Sequence, residues 1–416
     1  MNLTDGQQEA LAMAKRLKAA KRPQVGVIAG VAGSGKTTLL KIVAEELGTP
    51  VVIAPTGKAA ARVKEAAGIG AMTCHRWMYS PVTDDTTGKV TYNRLPRELL
   101  AKGEAGVLVV EEASMVNQEI WDHIWDNAVM LGLKVLCIGD PFQLPPISDN
   151  EKEQGFSLLD PSAGIASEYI LMDEVLRQAQ ESNVIRASMA LRAGDVMKAI
   201  AELPKVKPVD FIDVAARVQA QGGVIICYQN RTRHWCNEGV RVRRRLPTAD
   251  IAPAEPVLIL KNNYGLQVFN GETHTFQRWI EPPLGKHVIY DRWTKTREES
   301  RLGLAALTND EGQEFSGVLF MEELFGRLTA SVRAIDTTGE ISFPDYPILH
   351  ANFGYTMTAH KSQGSEWGEV LVAWEPTLRF WGEAREKSLR WAYTSVTRAK
   401  EKCSVSMGVT APRTLP

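Results

Sequence analysis

The chain has 416 residues, of which 44% are hydrophobic and 23% are charged. This is the composition of a globular protein, long enough for roughly two to four domains. The formal net charge of -1 excludes a uniformly basic surface, so a nucleic-acid site would have to be a local groove.

Cysteine usage and hydropathy exclude further classes. The five cysteines are widely spaced and form no C-x-x-C pair, which argues against a disulfide framework and against a zinc knuckle. No basic segment followed by an apolar core opens the chain, and no apolar run approaches the length of a membrane span. We therefore expect a protein of the cytoplasm with no membrane partner.

The first predicted element is a helix capped by Thr4, because Ala10, Ala14 and Leu17 recur at helical spacing. Gln7 lies in its first turn. A glutamine amide offers a donor and an acceptor that can pair with adenine, although a solvated helix start is the more usual role.

A phosphate-binding loop follows an apolar strand at residues 25–29. The sequence G-V-A-G-S-G-K-T at residues 30–37 fits G-x-x-x-x-G-K-[ST] between a strand and a helix. Its backbone N–H groups would wrap the phosphates, Lys36 would reach the β and γ phosphates, and Thr37 would hold Mg²⁺. The sequence thus predicts ATP and Mg²⁺, with loop contacts from Gly30, Gly33, Ser34, Gly35, Lys36, Thr37 and Thr38.

A second apolar strand, at residues 51–54, also leads into a helix start. Open α/β folds bind ligands where parallel strands end, so Thr56 and Lys58 are candidates for contacting the phosphates of a bound strand. A plain helix cap and a surface lysine are equally good interpretations of these two residues. Residues 73–76 begin another short segment, for which a satisfied polar turn is the simpler interpretation.

Two short β patterns around a glycine-containing turn predict a hairpin at Pro81 to Tyr92, inserted into the α/β pattern. The next apolar strand, residues 107–110, ends in Glu111 and Glu112. An acidic pair at the end of a strand in a P-loop protein is a Walker B element. We assign Glu111 to the metal and Glu112 to the attacking water.

A third strand at residues 135–138 delivers the segment G-D-P-F-Q-L-P-P. This would place Asp140 and Gln143 beside the γ phosphate, where they could sense its presence. Arg177, before a helix predicted from about residue 182 to 192, is a candidate arginine finger.

The order of these motifs resembles that of superfamily 1 helicases. Gln7, the P-loop and residues 54–58, 111–114 and 139–146 resemble motifs Q, I, Ia, II and III. Near the C-terminus, residues 355–366 and 393–400 resemble motifs V and VI. The forms A-H-K-S-Q-G-S-E and Y-T-S-V-T-R-A are most similar to those of the RecD/Dda branch, superfamily 1B, which includes phage Dda helicases.

This resemblance implies an α/β fold with two RecA-like P-loop domains built on parallel sheets. Domain 1A would comprise residues 1–77 and 104–165, and domain 2A residues 166–245 and 344–416. Residues 78–103 would form domain 1B, a β-hairpin pin that splits the duplex. Residues 246–343, which lose the α/β pattern, would form domain 2B, an SH3-like β-barrel.

The resemblance also implies the activity, which is 5′-to-3′ translocation on single-stranded DNA with ATP-dependent unwinding of duplex. The catalytic residues would be Lys36, Glu111, Glu112, Gln143, Arg177 and Arg398. Gln363, Glu366 and Arg398 would join Gln7 and the P-loop in binding the nucleotide. Contacts to DNA would come from Thr56, Lys58, Thr73, His75, Asn230, Thr358 and His360. Motif II departs from the family pattern, because Glu111 stands where Asp is usual.

The partners implied are single-stranded DNA, junctions of single- and double-stranded DNA, and single-stranded-DNA-binding or replisome proteins. A monomer acting in a bacterial cytoplasm is expected, with a phage-encoded origin left open. A small-molecule kinase is allowed by Lys36 alone but disfavoured by motifs V and VI. A translocase without duplex unwinding and an RNA helicase remain alternatives.

One basic run also has two interpretations. Arg241 and residues 243–245 could grip phosphates, or could form a solvated helix end.

Overall fold

The computed structural model describes residues 3–83, 90–146, 156–176, 179, 181–248, 250–261, 263, 266, 268–281, 287–291, 296–300, 303–309, 312–321, 335–336 and 348–411. The α-helices are α1 (Asp5–Ala19), α2 (Lys36–Leu47), α3 (Gly57–Ala67), α4 (Cys74–Met78), α5 (Gln118–Leu131), α6 (Asn183–Arg192), α7 (Val196–Glu202), α8 (Phe211–Ala220), α9 (Asn230–Arg243), α10 (Ala359–Ser362) and α11 (Arg385–Val396).

The strands of the first half are β1 (Val25–Gly30), β2 (Val51–Ala54), β3 (Ala71–Thr73), β4 (Tyr79–Thr83), β5 (Val90–Arg94), β6 (Val107–Val110), β7 (Lys134–Gly139), β8 (Glu168–Met172) and β9 (Lys205–Val206). Those of the second half are β10 (Val224–Cys227), β11 (Pro256–Ile259), β12 (Thr273–Glu281), β13 (His287–Asp291), β14 (Thr296–Ser300), β15 (Gly303–Thr308), β16 (Glu314–Met321), β17 (Ile335–Asp336), β18 (Ile348–Phe353), β19 (Thr356–Thr358), β20 (Trp367–Trp374) and β21 (Ala399–Met407).

The chain divides into two compact units. The first comprises Met1–Leu203, Gln363–Glu366 and Arg379–Glu401, and the second comprises Pro204–Ser362, Trp367–Leu378 and Lys402–Pro416. The first unit contains three segments that the expected boundaries assign to domain 2A: residues 166–203, residues 363–366 and residues 379–401, which include helix α11. Strand β8 belongs there because it pairs with β1 of the six-stranded sheet. The domain boundaries drawn from the sequence otherwise stay predictions.

The first unit is built on a six-stranded sheet in the order β3-β2-β6-β7-β1-β8. Its neighbouring strands pair in parallel. Strand β1 is buried along its whole length because helices cover both faces of the sheet, which is the reason that it reads as a continuous apolar run. The P-loop follows β1, Glu111 follows β6 and Asp140 follows β7. These motifs therefore lie together at the edge of the sheet where the parallel strands end.

The predicted hairpin is confirmed where the structure describes it. Strands β4 and β5 pair antiparallel from Tyr79 opposite Arg94 to Thr83 opposite Val90. Its turn, residues 84–89, lies outside the described residues.

The second unit contains the five-stranded sheet β19-β10-β20-β21-β9 and a closed barrel, β11-β12-β15-β16-β18. Strand β10 pairs in parallel with β19 and β20. The barrel confirms the expected β insertion, but its closing strand β18 lies beyond the boundary drawn at residue 343. The sequence of a short strand does not tell which sheet it joins, and β18 pairs with β11 and β16 of the barrel. The predicted fold class, α/β with parallel RecA-like sheets plus a hairpin and a barrel, is confirmed.

No helix within the described ranges has both the length and the apolar character needed to cross a bilayer.

Both interpretations of the basic run are wrong for Arg241. Its side chain is 6% exposed, and its Nε lies 2.7 Å from Glu255 Oε1. Its guanidinium also lies over the ring of Phe353, 3.9 Å from the centroid. Arg241 therefore ties α9 to the barrel strands of the second unit, whereas neighbouring Arg243 forms an exposed pair with Asp213.

We expect Arg241→Ala to lower the free energy of unfolding by about 3–5 kcal/mol, because it leaves the buried Glu255 carboxylate without its cation. Arg243→Ala removes the same charge from an exposed ion pair, and it should lower the free energy of unfolding by about 1 kcal/mol or less. Urea denaturation of both variants measures the difference. Equal effects would contradict a structural role for Arg241.

Candidate nucleotide-binding site

The P-loop has a backbone that only glycine fits at several positions. Gly33 and Gly35 have φ angles of 80° and 79°, in the left-handed region. A Cβ on Gly30 would lie 2.7 Å from Lys36 Cγ, and one on Gly35 would lie 2.6 Å from Gln7 Nε2. The glycines at these positions are therefore required by the loop itself.

The Lys36 ammonium bonds to carbonyl oxygens of the P-loop itself. Its Nζ donates to Gly30 O at 2.8 Å and to Val31 O at 3.0 Å, and it lies 3.8 Å from Asp140 Oδ2. Phosphate oxygens are stronger acceptors for an ammonium than carbonyl oxygens. The lysine is thus positioned to exchange these bonds for bonds to a nucleotide.

Both polar atoms of the Gln7 side-chain amide form hydrogen bonds within the protein. Its Oε1 accepts from Thr4 N, and Thr4 Oγ1 accepts from Gln7 N, which together form a capping box. Gln7 Nε2 donates to Ser34 O at 3.0 Å. The residue therefore links the start of α1 to the P-loop, in addition to any contact that it makes with adenine.

A cavity of about 330 Å³ opens beside the P-loop, at the lower end of the range for ligand pockets. Most of the predicted nucleotide-site residues line it: Gly33, Gly35, Lys36, Thr37, Thr38, Glu111, Glu112, Asp140, Gln143, Glu366 and Arg398. Four do not, namely Gln7, Gly30, Ser34 and Gln363. Ser34 Oγ donates to Val31 O, and Gln363 Nε2 donates to Leu144 O at 2.7 Å. Arg177 lies outside the described residues.

The acidic pair, Glu111 and Glu112, is buried and lines this cavity. Burial, and then the charge of Glu112, raise the pKa of Glu111 to about 7. The backbone of Glu112 is left-handed, with φ 51° and ψ 42°, a strained conformation for a non-glycine residue. Its Oε2 is buried and makes no hydrogen bond within the described part of the chain.

These features fit a divalent cation held by Glu111 and Thr37. A carboxyl group with a raised pKa and an unpaired buried carboxylate oxygen would both be stabilised by positive charge. Nowhere in the described ranges do three or more His, Cys, Asp or Glu side chains converge on a possible metal position. Mg²⁺ does not require such a cage, because it is usually held by one or two carboxylates and by substrate phosphates.

Tyr393, on α11, joins motif VI to the P-loop. Its hydroxyl accepts from Ala32 N at 2.8 Å and donates to Asp140 Oδ2 at 2.7 Å. Burial, followed by the nearby Asp140 carboxylate, raises the pKa of Tyr393 well above its ordinary value, so the hydroxyl keeps its proton. Sequence reasoning missed this residue, although it is the first letter of motif VI.

Arg398 approaches the same cavity from the end of α11. Its side chain is buried, its Nε donates to Thr394 O at 3.1 Å, and an Nη donates to Ser365 O at 3.3 Å. The arginine is thus held by main-chain oxygens and lines the cavity with Lys36.

Arg62 is a cavity residue that the sequence did not indicate. One Nη lies 3.2 Å from Glu112 Oε1 and the other 2.6 Å from Glu366 Oε1. Burial lowers the pKa of this guanidinium, but the carboxylates of Glu112 and Glu366 outweigh burial and raise it above its ordinary value. The one signal available was its position, one helical turn beyond Lys58 on a predicted helix.

The predicted strand contacts lie at sheet edges of both units. In the first unit, Thr56 caps α3 and Thr73 caps α4, after the adjacent strands β2 and β3. Lys58 lies in the first turn of α3, and burial lowers the pKa of His75, on α4. In the second unit, exposed Asn230 follows β10, Thr358 ends the paired strand β19, and His360 lies in α10.

Comparisons with known proteins agree with this geometry. A family model described as an AAA domain matches residues 2–213, and one described as a UvrD-like helicase C-terminal domain matches residues 353–406. The ATP-dependent RecD2 DNA helicase of Deinococcus radiodurans is 26% identical over 406 residues, covering 90% of this chain and 46% of that protein. The RecBCD enzyme subunit RecD of Mycolicibacterium smegmatis is 28% identical over 414 residues, covering 91% and 67%.

Solved structures show the same fold. The Bacteroides Pif1 helicase in complex with ADP-AlF3 and single-stranded DNA has a TM-score of 0.56 at 18% identity, covering 100% of this chain and 95% of that one. Because the AAA domain model spans about half of its length, the chain belongs to that family. The similar relatives RecD2 and RecD are helicase proteins of the kind that the order of motifs resembles. The chain spans about half the length of RecD2 and about two thirds of RecD.

We expect Tyr393→Phe to weaken ATP binding about tenfold. The change leaves Ala32 N–H and Asp140 Oδ2 without this partner, and an unsatisfied buried group costs about 1–3 kcal/mol. Titration with a fluorescent ATP analogue measures the affinity. Tyr169→Phe is the matched control, because the Tyr169 hydroxyl bonds Leu159 O elsewhere in the unit. An equal loss in both variants, or none in either, would refute the role of Tyr393.

Proposed function

We propose that this chain is an ATP-dependent DNA helicase that translocates 5′ to 3′ along single-stranded DNA and separates duplex. One observation carries the proposal. Residues from five separate motifs, Lys36, Glu112, Gln143, Glu366 and Arg398, line a single cavity. A P-loop kinase would need the first two motifs and would have no use for motifs V and VI.

The roles follow from position and charge. Lys36 and Arg398 would stabilise the charge that develops on the phosphates, and Glu112 would polarise the attacking water. Gln143 would sense the γ phosphate. Thr37 and Glu111 would hold Mg²⁺, which when bound would neutralise phosphate charge. Arg177 remains a proposed second arginine, and Gln7, Gly30, Ser34 and Gln363 are proposed to shape the nucleotide site rather than to line the cavity.

We propose that each unit contacts the DNA strand where its own parallel strands end. We assign it to Thr56, Lys58, Thr73 and His75 on the first unit and to Asn230, Thr358 and His360 on the second. Grip on the sugar-phosphate backbone is independent of sequence and weakens with salt. The hairpin of β4 and β5 is proposed as the wedge that separates the strands.

The relatives support DNA as the substrate class. RecD2 is named as a DNA helicase, and Pif1 has been crystallised with single-stranded DNA. Polarity is proposed from the likeness of motifs V and VI to the RecD/Dda branch. We further propose that the protein acts as a monomer, with single-stranded-DNA-binding or replisome proteins as partners.

We expect Lys36→Ala to lower oligonucleotide-stimulated ATP turnover by about 10²- to 10³-fold, because it removes a charge aimed at the phosphates. Binding of a fluorescent single strand should persist, since the strand residues lie elsewhere. Steady-state turnover and fluorescence anisotropy measure the two properties. Lys41→Ala, on the exposed face of the same helix, is the control. Turnover retained in Lys36→Ala would overturn the assignment of this cavity.

A further inference from the structure

Arg62 bridges two carboxylates that belong to different motifs. Its guanidinium pairs with Glu112 of motif II and with Glu366 of motif V, and its side chain is 31% exposed. A planar guanidinium can engage two carboxylates at once, whereas a lysine ammonium acts as a point charge. The contact therefore fixes the two acids relative to each other through α3.

The same helix begins with the proposed strand contacts. Thr56 caps α3 and Lys58 lies in its first turn, about 6 Å along the axis from Arg62. Motif V packs on this turn, because a Cβ on Gly364 would lie 3.0 Å from Thr56 Oγ1 and 3.4 Å from Ala59 Cβ. A shift of the first turn of α3 would thus be transmitted to Arg62 and to residues 363–366.

Glu112 is placed to respond to such a shift. Arg62 holds its Oε1, while its Oε2 is buried without a hydrogen bond in the described residues. The left-handed backbone of Glu112 restricts other ways of turning the carboxylate. The orientation of the Glu112 carboxylate therefore depends on the Arg62 contact.

We propose that Arg62 is a positioning residue that couples strand binding at the start of α3 to ATP hydrolysis, by setting the direction of the Glu112 carboxylate. The inference rests on the proposed function, because it assigns the strand to Thr56 and Lys58. It adds the means by which the strand accelerates turnover. Arg62 itself does not contact the reacting atoms in this account.

The test compares ATP turnover of Arg62→Ala and the unaltered chain, each with and without saturating oligo(dT). We expect the stimulated kcat to fall by about 10- to 100-fold, because a misplaced catalytic group costs that much. The ratio of stimulated to unstimulated turnover should fall toward one. The KM for ATP and the Kd for oligo(dT) should change far less than kcat.

Two further variants keep the result interpretable. Lys64→Ala removes a positive charge from the exposed face of the same helix and should leave the ratio unchanged. Arg62→Lys preserves charge and most of the volume, so it should fold even where Arg62→Ala does not. Because lysine cannot hold both carboxylates in one fork, we expect it to restore the ratio only in part.

Two outcomes would overturn the coupling. Equal falls in stimulated and unstimulated turnover would mean that Arg62 orients Glu112 without transmitting strand binding. An unchanged ratio in both Arg62 variants would mean that Arg62 has no part in it. Absence of stimulation in the unaltered chain would refute the proposed function itself, and would be seen before any variant is made.

Discussion

Buried charge is the constraint on which the first unit depends. An ionised carboxylate buried without a partner costs several kcal/mol, and the cavity beside the P-loop is lined by Glu111, Glu112, Asp140 and Glu366. Cations and hydrogen bonds offset this cost. Arg62 pairs with two of the acids, and Asp140 accepts from Tyr393 and from Phe142 N. The pKa of Glu111 is raised, and a bound cation would lower it by stabilising the ionised carboxylate.

This balance of charge explains why distant motifs converge. Each acid follows a parallel strand or lies in a loop beside the sheet, so one edge collects negative charge. The cations come from elsewhere in the chain, Arg62 from α3 and Arg398 from the end of α11. The proposed site for a nucleotide and its metal ion therefore requires motifs from both ends of the chain. A single P-loop could not provide that arrangement.

Local motifs were predictable from the sequence because their chemistry is local. The P-loop needs glycines at fixed spacing, Thr4 caps α1 within one turn, and the strand before Glu111 is a continuous apolar run. Each of these depends on a few consecutive residues, and the structure has each of them where it was expected.

Contacts between distant residues were not predictable. Tyr393 bonds Ala32 across 361 positions, and Arg62 pairs with Glu112 across 50. No periodicity or spacing encodes such a contact, because the topology of the sheet brings the partners together. The same limit explains Arg241, whose partner Glu255 is buried by the barrel, and strand β18, whose partner β11 lies far away in the sequence.

The most direct test of the central claim is strand separation on two matched DNA duplexes, one with a 5′ and one with a 3′ single-stranded tail, in the presence of ATP. A 5′-to-3′ helicase should unwind the 5′-tailed duplex alone. Unwinding from the 3′ tail would contradict the polarity. No unwinding of either duplex, with turnover still stimulated by single strands, would contradict the helicase activity and favour a translocase or an enzyme that acts on RNA.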